Sequence, residues 1–160
     1  MGDAETMEHT GGALTPDEVA LMLDRYVARA SAASLAPDDE DIVAVYAVEQ
    51  RGEVVGSADI VRFVAEDGRA ALEIGYAIRR DRWRCGLGVR AARLILAVAR
   101  GLARPGQRVL ALVDPGHDAS IGVLTRIGLV SAGVHHDDED GDVLVYVQPS
   151  RAHAEAAPAG

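Results

Sequence analysis

The segment with the clearest chemical signature is a glycine pair within residues 83–89. Gly86 and Gly88 stand one residue apart, and neither carries a side chain, so the backbone can approach a ligand closely. The helical pattern that begins at Leu87 would direct free backbone N–H groups and the positive end of the helix dipole at this loop. The segment therefore predicts a cradle for phosphate groups.

The surroundings of the glycine pair are basic, although the chain carries a net charge of −9 at pH 7. This local reversal of charge favours a bound polyphosphate. The alternative, a glycine-rich loop with solvated arginines, stays open at this point. The six arginines concerned are Arg79, Arg80, Arg82, Arg84, Arg90 and Arg93.

A dinucleotide site is a second interpretation of the same loop. Residues 86–91 fit the pattern G-x-G-x-x-A, and Asp114 follows the next predicted strand, where an acid that binds ribose would be expected. Against this interpretation, residues 79–85 separate the glycines from the preceding strand, and the strands upstream have the pattern of an antiparallel meander. A nicotinamide-dependent oxidoreductase is therefore the less favoured alternative.

Two further segments carry reactive side chains without forming a recognisable site. The run of residues 135–142 contains two histidines and five acids, but it fails the spacing of a calcium-binding loop, because position twelve would be Val147. We interpret it as a solvated acidic turn and expect no metal. Cys85 lies at a helix start beside arginines, where thiol pKa values fall. No histidine base is identified for it, so it is interpreted as a loop residue.

The elements that must position these residues follow from hydrophobic periodicity. Residues 42–49 and 54–64 predict a hairpin, and residues 71–78 predict a third strand with Glu73, Gly75 and Ala77 on one face and Tyr76 on the other. A helix follows from Leu87, with apolar positions 91, 94, 95, 98 and 102. A strand at 109–113, a short helix near 119–127 and strands at 129–134 and 143–147 complete the pattern, after a first helix that starts near residue 15.

Residues 72–147 resemble the GNAT superfamily of acetyl-CoA-dependent N-acyltransferases, and most closely the branch that acetylates ribosomal-protein N-termini. The resemblance lies in an ordered series of segments: 72–78, 80–88, 113–120 and 124–129. It implies an α/β fold with a mixed, mostly antiparallel, twisted sheet flanked by helices. The sheet is expected to splay between Ile78 and Val113, with acetyl-CoA bound in the splay.

The resemblance also implies roles for individual residues. Glu73 would act as general base through water, Ser120 would protonate the departing thiolate, and backbone N–H groups near Ala77 and Ile78 would stabilise the oxyanion. The family's usual tyrosine and asparagine are replaced by Leu124 and His117, which keeps open a catalytically inactive acyl-CoA-binding or interaction domain. The residues expected to bind acetyl-CoA are Ala77, Ile78, Arg80, Trp83, Arg84, Cys85, Gly86, Leu87, Gly88, Val89, His117 and Ser120.

Composition limits the remaining possibilities. We expect a flexible segment at 1–13, an acyltransferase domain at 14–148 and a disordered tail at 149–160. A sequence pI near 4.9 disfavours nucleic acid and anionic membranes as partners, and a single cysteine precludes an internal disulfide. No apolar run is long enough to span a membrane. We predict a cytoplasmic enzyme that acetylates a primary amine on a small molecule or a protein N-terminus, and a homodimer is one assembly that the sequence leaves open.

Overall fold

The computed structural model describes residues 42–64, 68–137 and 141–149. Within these residues one six-stranded sheet packs against two helices, and a single turn of 3-10 helix, Arg80–Arg82, precedes the first of them. The strands are β1 (Ile42–Gln50), β2 (Glu53–Val64), β3 (Ala70–Ile78), β4 (Arg108–Val113), β5 (Val130–Asp137) and β6 (Gly141–Val147), and the helices are α1 (Leu87–Leu102) and α2 (Asp118–Arg126).

The strand order is β1-β2-β3-β4-β6-β5, and every neighbouring pair is antiparallel except β3 and β4. This arrangement confirms the predicted α/β class with a mixed, mostly antiparallel sheet. The β1–β2 hairpin turns at Arg51 and Gly52, with φ values of 55° and 82°. Two positive φ values at a two-residue turn match the right-handed twist of the flanking strands.

The parallel strands β3 and β4 are paired over a short stretch only. Their register covers three pairs, from Ala71 opposite Arg108 to Glu73 opposite Leu110. Beyond these pairs β3 continues to Ile78 and β4 to Val113 without pairing to each other. The sheet therefore splays where the sequence predicts it, and the loop that leads into α1 leaves from the open end.

The main core lies between one sheet face and the two helices. Its buried members include Ile60 and Ile74 from the sheet, Ile95 from α1 and Leu124 from α2. The predicted apolar stripe of α1 is wrong at Leu94 and at residue 102, which are 70% and 50% exposed. The helix instead packs through a row containing three alanines, which allows close approach to the sheet and turns those leucines outward: Leu87, Ala91, Ala92, Ile95, Leu96 and Ala99.

The acidic turn predicted at 135–142 is shorter than expected. β5 continues to Asp137 and β6 begins at Gly141, with His135 opposite Val143 and His136 opposite Asp142. Polar side chains are tolerated here because β5 is an edge strand of the sheet, where they remain in contact with solvent. The predicted first helix, the segment 1–13 and the tail from residue 150 lie outside the described residues.

Candidate active site

The start of α1 provides unpaired backbone donors. Gly86 is the N-cap residue in the left-handed conformation, with φ 78° and ψ 4°, and no side-chain hydrogen bond caps the helix. The first intrahelical bond in this turn runs from the Arg90 N–H to the Gly86 carbonyl, 3.1 Å apart. The N–H groups of Leu87, Gly88 and Val89 therefore have no acceptor within the helix and face the loop, as an anion site requires.

The arginines around this loop do not all carry unpaired charge. Arg79 contacts Glu53 at 2.6 Å and Asp81 at 2.7 Å, and Arg82 contacts the second oxygen of Glu53 at 2.7 Å. The hydrogen bonds from both arginines lower the pKa of Glu53. Arg79 and Arg82 are thus held by carboxylates, which offset part of the positive charge that the sequence places around this loop. Arg84, Arg90 and Arg93 are exposed and lie outside the network.

Two of the residues predicted to bind acetyl-CoA form hydrogen bonds that hold the loop together. The indole Nε1 of Trp83 donates to the Ile78 carbonyl at 2.6 Å, which ties the loop to the end of β3. The thiol of Cys85 donates to the Arg82 carbonyl at 2.6 Å. Arg84 adopts a left-handed conformation with φ 60° between them. The path of the loop is therefore set by side-chain contacts as well as by its glycines.

The free edge of β3 faces the splay. The Arg79 N–H bonds to the Val55 carbonyl of β2 at 2.8 Å. In an antiparallel ladder the direction of the backbone groups alternates, so the N–H of Ala77 is directed at β2 and that of Ile78 at the splay. Of the two predicted oxyanion donors, Ile78 is the one with the suitable direction.

The helix-facing side of the splay brings together two residues distant in sequence. Ser120 lies in the first turn of α2, which begins after His117, and the Tyr76 hydroxyl donates to the Ser120 carbonyl at 3.4 Å. Sequence reasoning placed Tyr76 on the correct face of β3 but assigned it no role. Its partner depends on how β3 and β4 diverge, and no local pattern reveals that.

The opposite sheet face carries two carboxylates. Asp59 pairs with Gly75, and Glu73 lies two residues along the same face. A Cβ added to Gly75 would stand 2.7 Å from an oxygen of Asp59, so this carboxylate lies directly over the glycine backbone. Asp59 was missed from the sequence, because its proximity to Glu73 requires the strand register.

The environment of this pair alters its protonation. Burial, followed by the charge of Asp59, raises the pKa of Glu73 from 4.5 to about 7, and burial also raises the pKa of Asp59. Glu73 is therefore half-buried, and it is not a strand carboxylate that simply faces solvent. A carboxylate with a pKa near neutrality can both accept and release a proton at physiological pH.

No group of three or more histidine, cysteine or acidic residues that could hold a metal occurs within residues 42–64, 68–137 and 141–149. His136 and Asp142 form an exposed pair across the β5–β6 hairpin, with Nδ1 and Oδ1 2.5 Å apart. None of the described helices is long and apolar enough to cross a membrane.

The glycine pattern at 86–91 lacks the context of a dinucleotide-binding site. A Rossmann sheet is largely parallel, whereas the strands described here include a single parallel pair.

Known proteins resemble this chain in fold and partly in sequence. The Bacillus subtilis (strain 168) protein YkkB is 36% identical over 81 residues, which cover 51% of this chain and 46% of YkkB. The match thus spans about half the length of that relative. The structure of aminoglycoside acetyltransferase AAC(6')-Ib with coenzyme A matches 97% of this chain and 88% of its own, with a TM-score of 0.72 and 18% identity.

A ribosomal-protein-alanine N-acetyltransferase from Brucella melitensis matches 88% of this chain and 82% of its own, with a TM-score of 0.62 and 17% identity. Identities at this level establish the shared fold. The sequence pattern of the acetyltransferase (GNAT) domain matches residues 1–130, which is most of the chain. The chain therefore belongs to the GNAT acetyltransferase domain family.

Proposed function

We propose that this protein transfers an acetyl group from acetyl-CoA to a primary amine by direct attack. The observation that carries the proposal is the uncapped start of α1 at the open end of the splay between β3 and β4. Free N–H groups and a helix dipole suit a pyrophosphate, and the unpaired edge of β3 suits an extended amide-containing arm. Coenzyme A combines both features, and it is the ligand in the similar aminoglycoside acetyltransferase.

The residues that would hold the donor follow from this geometry. Gly86, Leu87, Gly88 and Val89 would bind the pyrophosphate through their backbone, with Arg80 and Arg84 adding positive charge. Trp83 and Cys85 would act by holding the loop that presents these groups. The remaining members of the proposed binding set line the splay: Ala77, Ile78, His117 and Ser120.

Glu73 is the proposed base. An alkyl ammonium must lose a proton before its nitrogen can attack, and a carboxylate with a pKa of about 7 is well matched to this at neutral pH. The base would act through water, and the Ile78 N–H would stabilise the oxyanion that forms as the nitrogen attacks the thioester carbon. The hydroxyl groups of Ser120 and Tyr76 lie on residues that meet at the splay and could return a proton to the sulfur.

The acceptor is proposed to be a cationic amine, either on a small molecule or at a protein N-terminus. Asp59 and Glu73 would provide negative potential on the sheet face opposite the helices, and this attracts a positive substrate. Enzymes named for aminoglycosides and for ribosomal-protein alanine share the fold, so both kinds of amine belong in an acceptor panel.

A second candidate is an acyl-CoA-binding domain without catalysis. It is favoured by Leu124, where the resemblance would place a tyrosine, because this residue is 1% exposed and part of the core. Two measurements on one preparation separate the candidates: calorimetric titration with coenzyme A, and release of free thiol from acetyl-CoA in the presence of kanamycin, ribostamycin or a peptide beginning with alanine. Binding with amine-dependent thiol release supports the enzyme, whereas binding without release supports the binding domain.

A further inference from the structure

A leaving thiolate needs a proton donor on the wall of the splay. Tyr76 lies on the part of β3 that borders the splay, because β3 and β4 pair for the last time at Glu73 and Leu110, three residues before Tyr76. The Tyr76 ring is half-buried and packs against the main core, and this packing restricts where the hydroxyl can lie. The hydroxyl points at the first turn of α2, the element that follows β4.

The contact that Tyr76 makes there leaves its proton available. The hydroxyl oxygen is 3.4 Å from the Ser120 carbonyl, well beyond the 2.7–2.8 Å that is usual for such bonds. A weak hydrogen bond orients the hydroxyl. Because the bond is weak, little energy is lost when the hydroxyl turns to a better acceptor. A departing thiolate is a better acceptor, since it carries full negative charge.

Acidity separates Tyr76 from Ser120 as proton donors. A phenol has a pKa near 10, whereas an aliphatic hydroxyl is a far weaker acid. Burial raises the pKa of Tyr76, and the Ser120 contact partly offsets this, so the phenol remains protonated at neutral pH. The acidity of a phenol is much closer to that of a thiol than the acidity of an aliphatic hydroxyl is. Proton transfer to the thiolate is therefore more favourable from Tyr76 than from Ser120.

We propose that the hydroxyl of Tyr76 protonates the leaving sulfur, while Ser120 contributes the carbonyl that orients it. The inference rests on the proposed acetyl transfer. The C–N bond forms, the C–S bond breaks with its electron pair on sulfur, and the Tyr76 proton moves to sulfur to give the free thiol. The phenolate regains a proton from solvent, and the nitrogen loses one proton to Glu73 through water and a second to solvent.

The first test compares Tyr76→Phe with two matched variants. Tyr76→Phe keeps the ring and its packing, so acetyl-CoA KM, calorimetric affinity for coenzyme A and Tm should stay at wild-type values, while kcat with the best acceptor falls about 100-fold. Ser120→Ala keeps the main-chain carbonyl that orients Tyr76, so its kcat should fall far less than that of Tyr76→Phe. Tyr146→Phe serves as the packing control, because Tyr146 lies against the same core from β6.

The second test changes the acidity of residue 76 without removing its hydroxyl. A trifluorotyrosine introduced at position 76 alone is a stronger acid, so the alkaline limb of kcat should move to lower pH. A residue that only supports α2 would leave this limb in place. The other ionisable side chains on neighbouring elements are unchanged in the variant: Asp59 on β2, Arg90 and Arg93 on α1, Arg108 and Asp114 on and after β4, and His117, Asp118 and Arg126 around α2.

The outcomes distinguish a failure of the Tyr76 role from a failure of the proposed acetyl transfer. An active wild type together with a fully active Tyr76→Phe variant overturns the role of Tyr76 and leaves the proposed function intact. Loss of coenzyme A affinity or a lowered Tm in Tyr76→Phe shows a structural residue and also overturns the inference. A wild type that binds coenzyme A but releases no thiol with any amine overturns acetyl transfer and the Tyr76 step together.

Discussion

Replacing Glu73 by glutamine should make the protein more stable at alkaline pH while it removes activity. Glu73 is half-buried beside Asp59, and burial and that neighbouring charge raise its pKa to about 7 in the folded protein, against 4.5 for an ordinary glutamate. The ionised form of Glu73 therefore destabilises the folded protein. Glutamine has nearly the same shape and no charge, so Glu73→Gln removes this destabilisation.

The sign and size of this change in stability follow from the thermodynamic link between protonation and folding. A raised carboxyl pKa contributes stability that is full below pH 4.5 and is lost as the pH rises through about 7. The difference between the two pKa values corresponds to a free energy of unfolding of about 3 kcal/mol. Because Glu73 is partly exposed, we expect this free energy to be reduced to about 1–2 kcal/mol. We expect Glu73→Gln to raise the free energy of unfolding by that amount at pH 8.5 and by less than about 1 kcal/mol at pH 5.

Urea unfolding at both pH values measures this effect directly. Glu53→Gln is the matched control, because the same substitution there removes a carboxylate whose pKa is lowered by Arg79 and Arg82. A lowered pKa gives stability above its ordinary range, so Glu53→Gln should not stabilise the protein at pH 8.5. Equal effects of Glu73→Gln at the two pH values, or destabilisation at pH 8.5, would refute the described environment of Glu73.

Three further predictions concern the site. Asp59→Asn should move the acid limb of kcat/KM to lower pH by at most about one unit, because burial is the larger cause of the raised pKa of Glu73; a limb that stays in place would contradict the coupling. Gly88→Glu should abolish calorimetric binding of coenzyme A. Gly88→Ala should retain binding, since the added methyl meets one side-chain carbon at 3.7 Å. Wild-type affinity in both variants would exclude a phosphate cradle at this position. Trp83→Phe should weaken coenzyme A binding about 2–10-fold by removing the hydrogen bond to Ile78, and wild-type affinity would show that this bond does not hold the loop.

The elements were predictable where the local pattern is complete. Alternating residues in 42–78 predict the three-stranded meander, and the helical pattern that begins at Leu87 predicts the start of α1 to the residue. The outward orientation of Leu94 was not predictable, because Ala92 and Ala99 are as compatible with a buried stripe as leucine. Close packing of the helix on the sheet selects the alanines, and this is a tertiary effect.

The site was predictable only where its residues are neighbours in sequence. Glu73 and the loop from residue 83 could be assigned in this way. The Asp59 carboxylate over Gly75, the Glu53 contacts of Arg79 and the approach of Tyr76 to Ser120 all join distant segments. They depend on strand register and on the divergence of β3 from β4, which no short pattern encodes.

The most direct test of the central claim is mass spectrometry of the acceptor after incubation with acetyl-CoA and purified wild type, Glu73→Gln and Gly88→Glu. The account predicts an N-acetylated amine and an equal amount of free thiol with the wild type. It predicts little product with Glu73→Gln despite retained coenzyme A binding, and none with Gly88→Glu. Wild-type protein that binds coenzyme A yet acetylates no amine, or a Gly88→Glu variant as active as wild type, would contradict it.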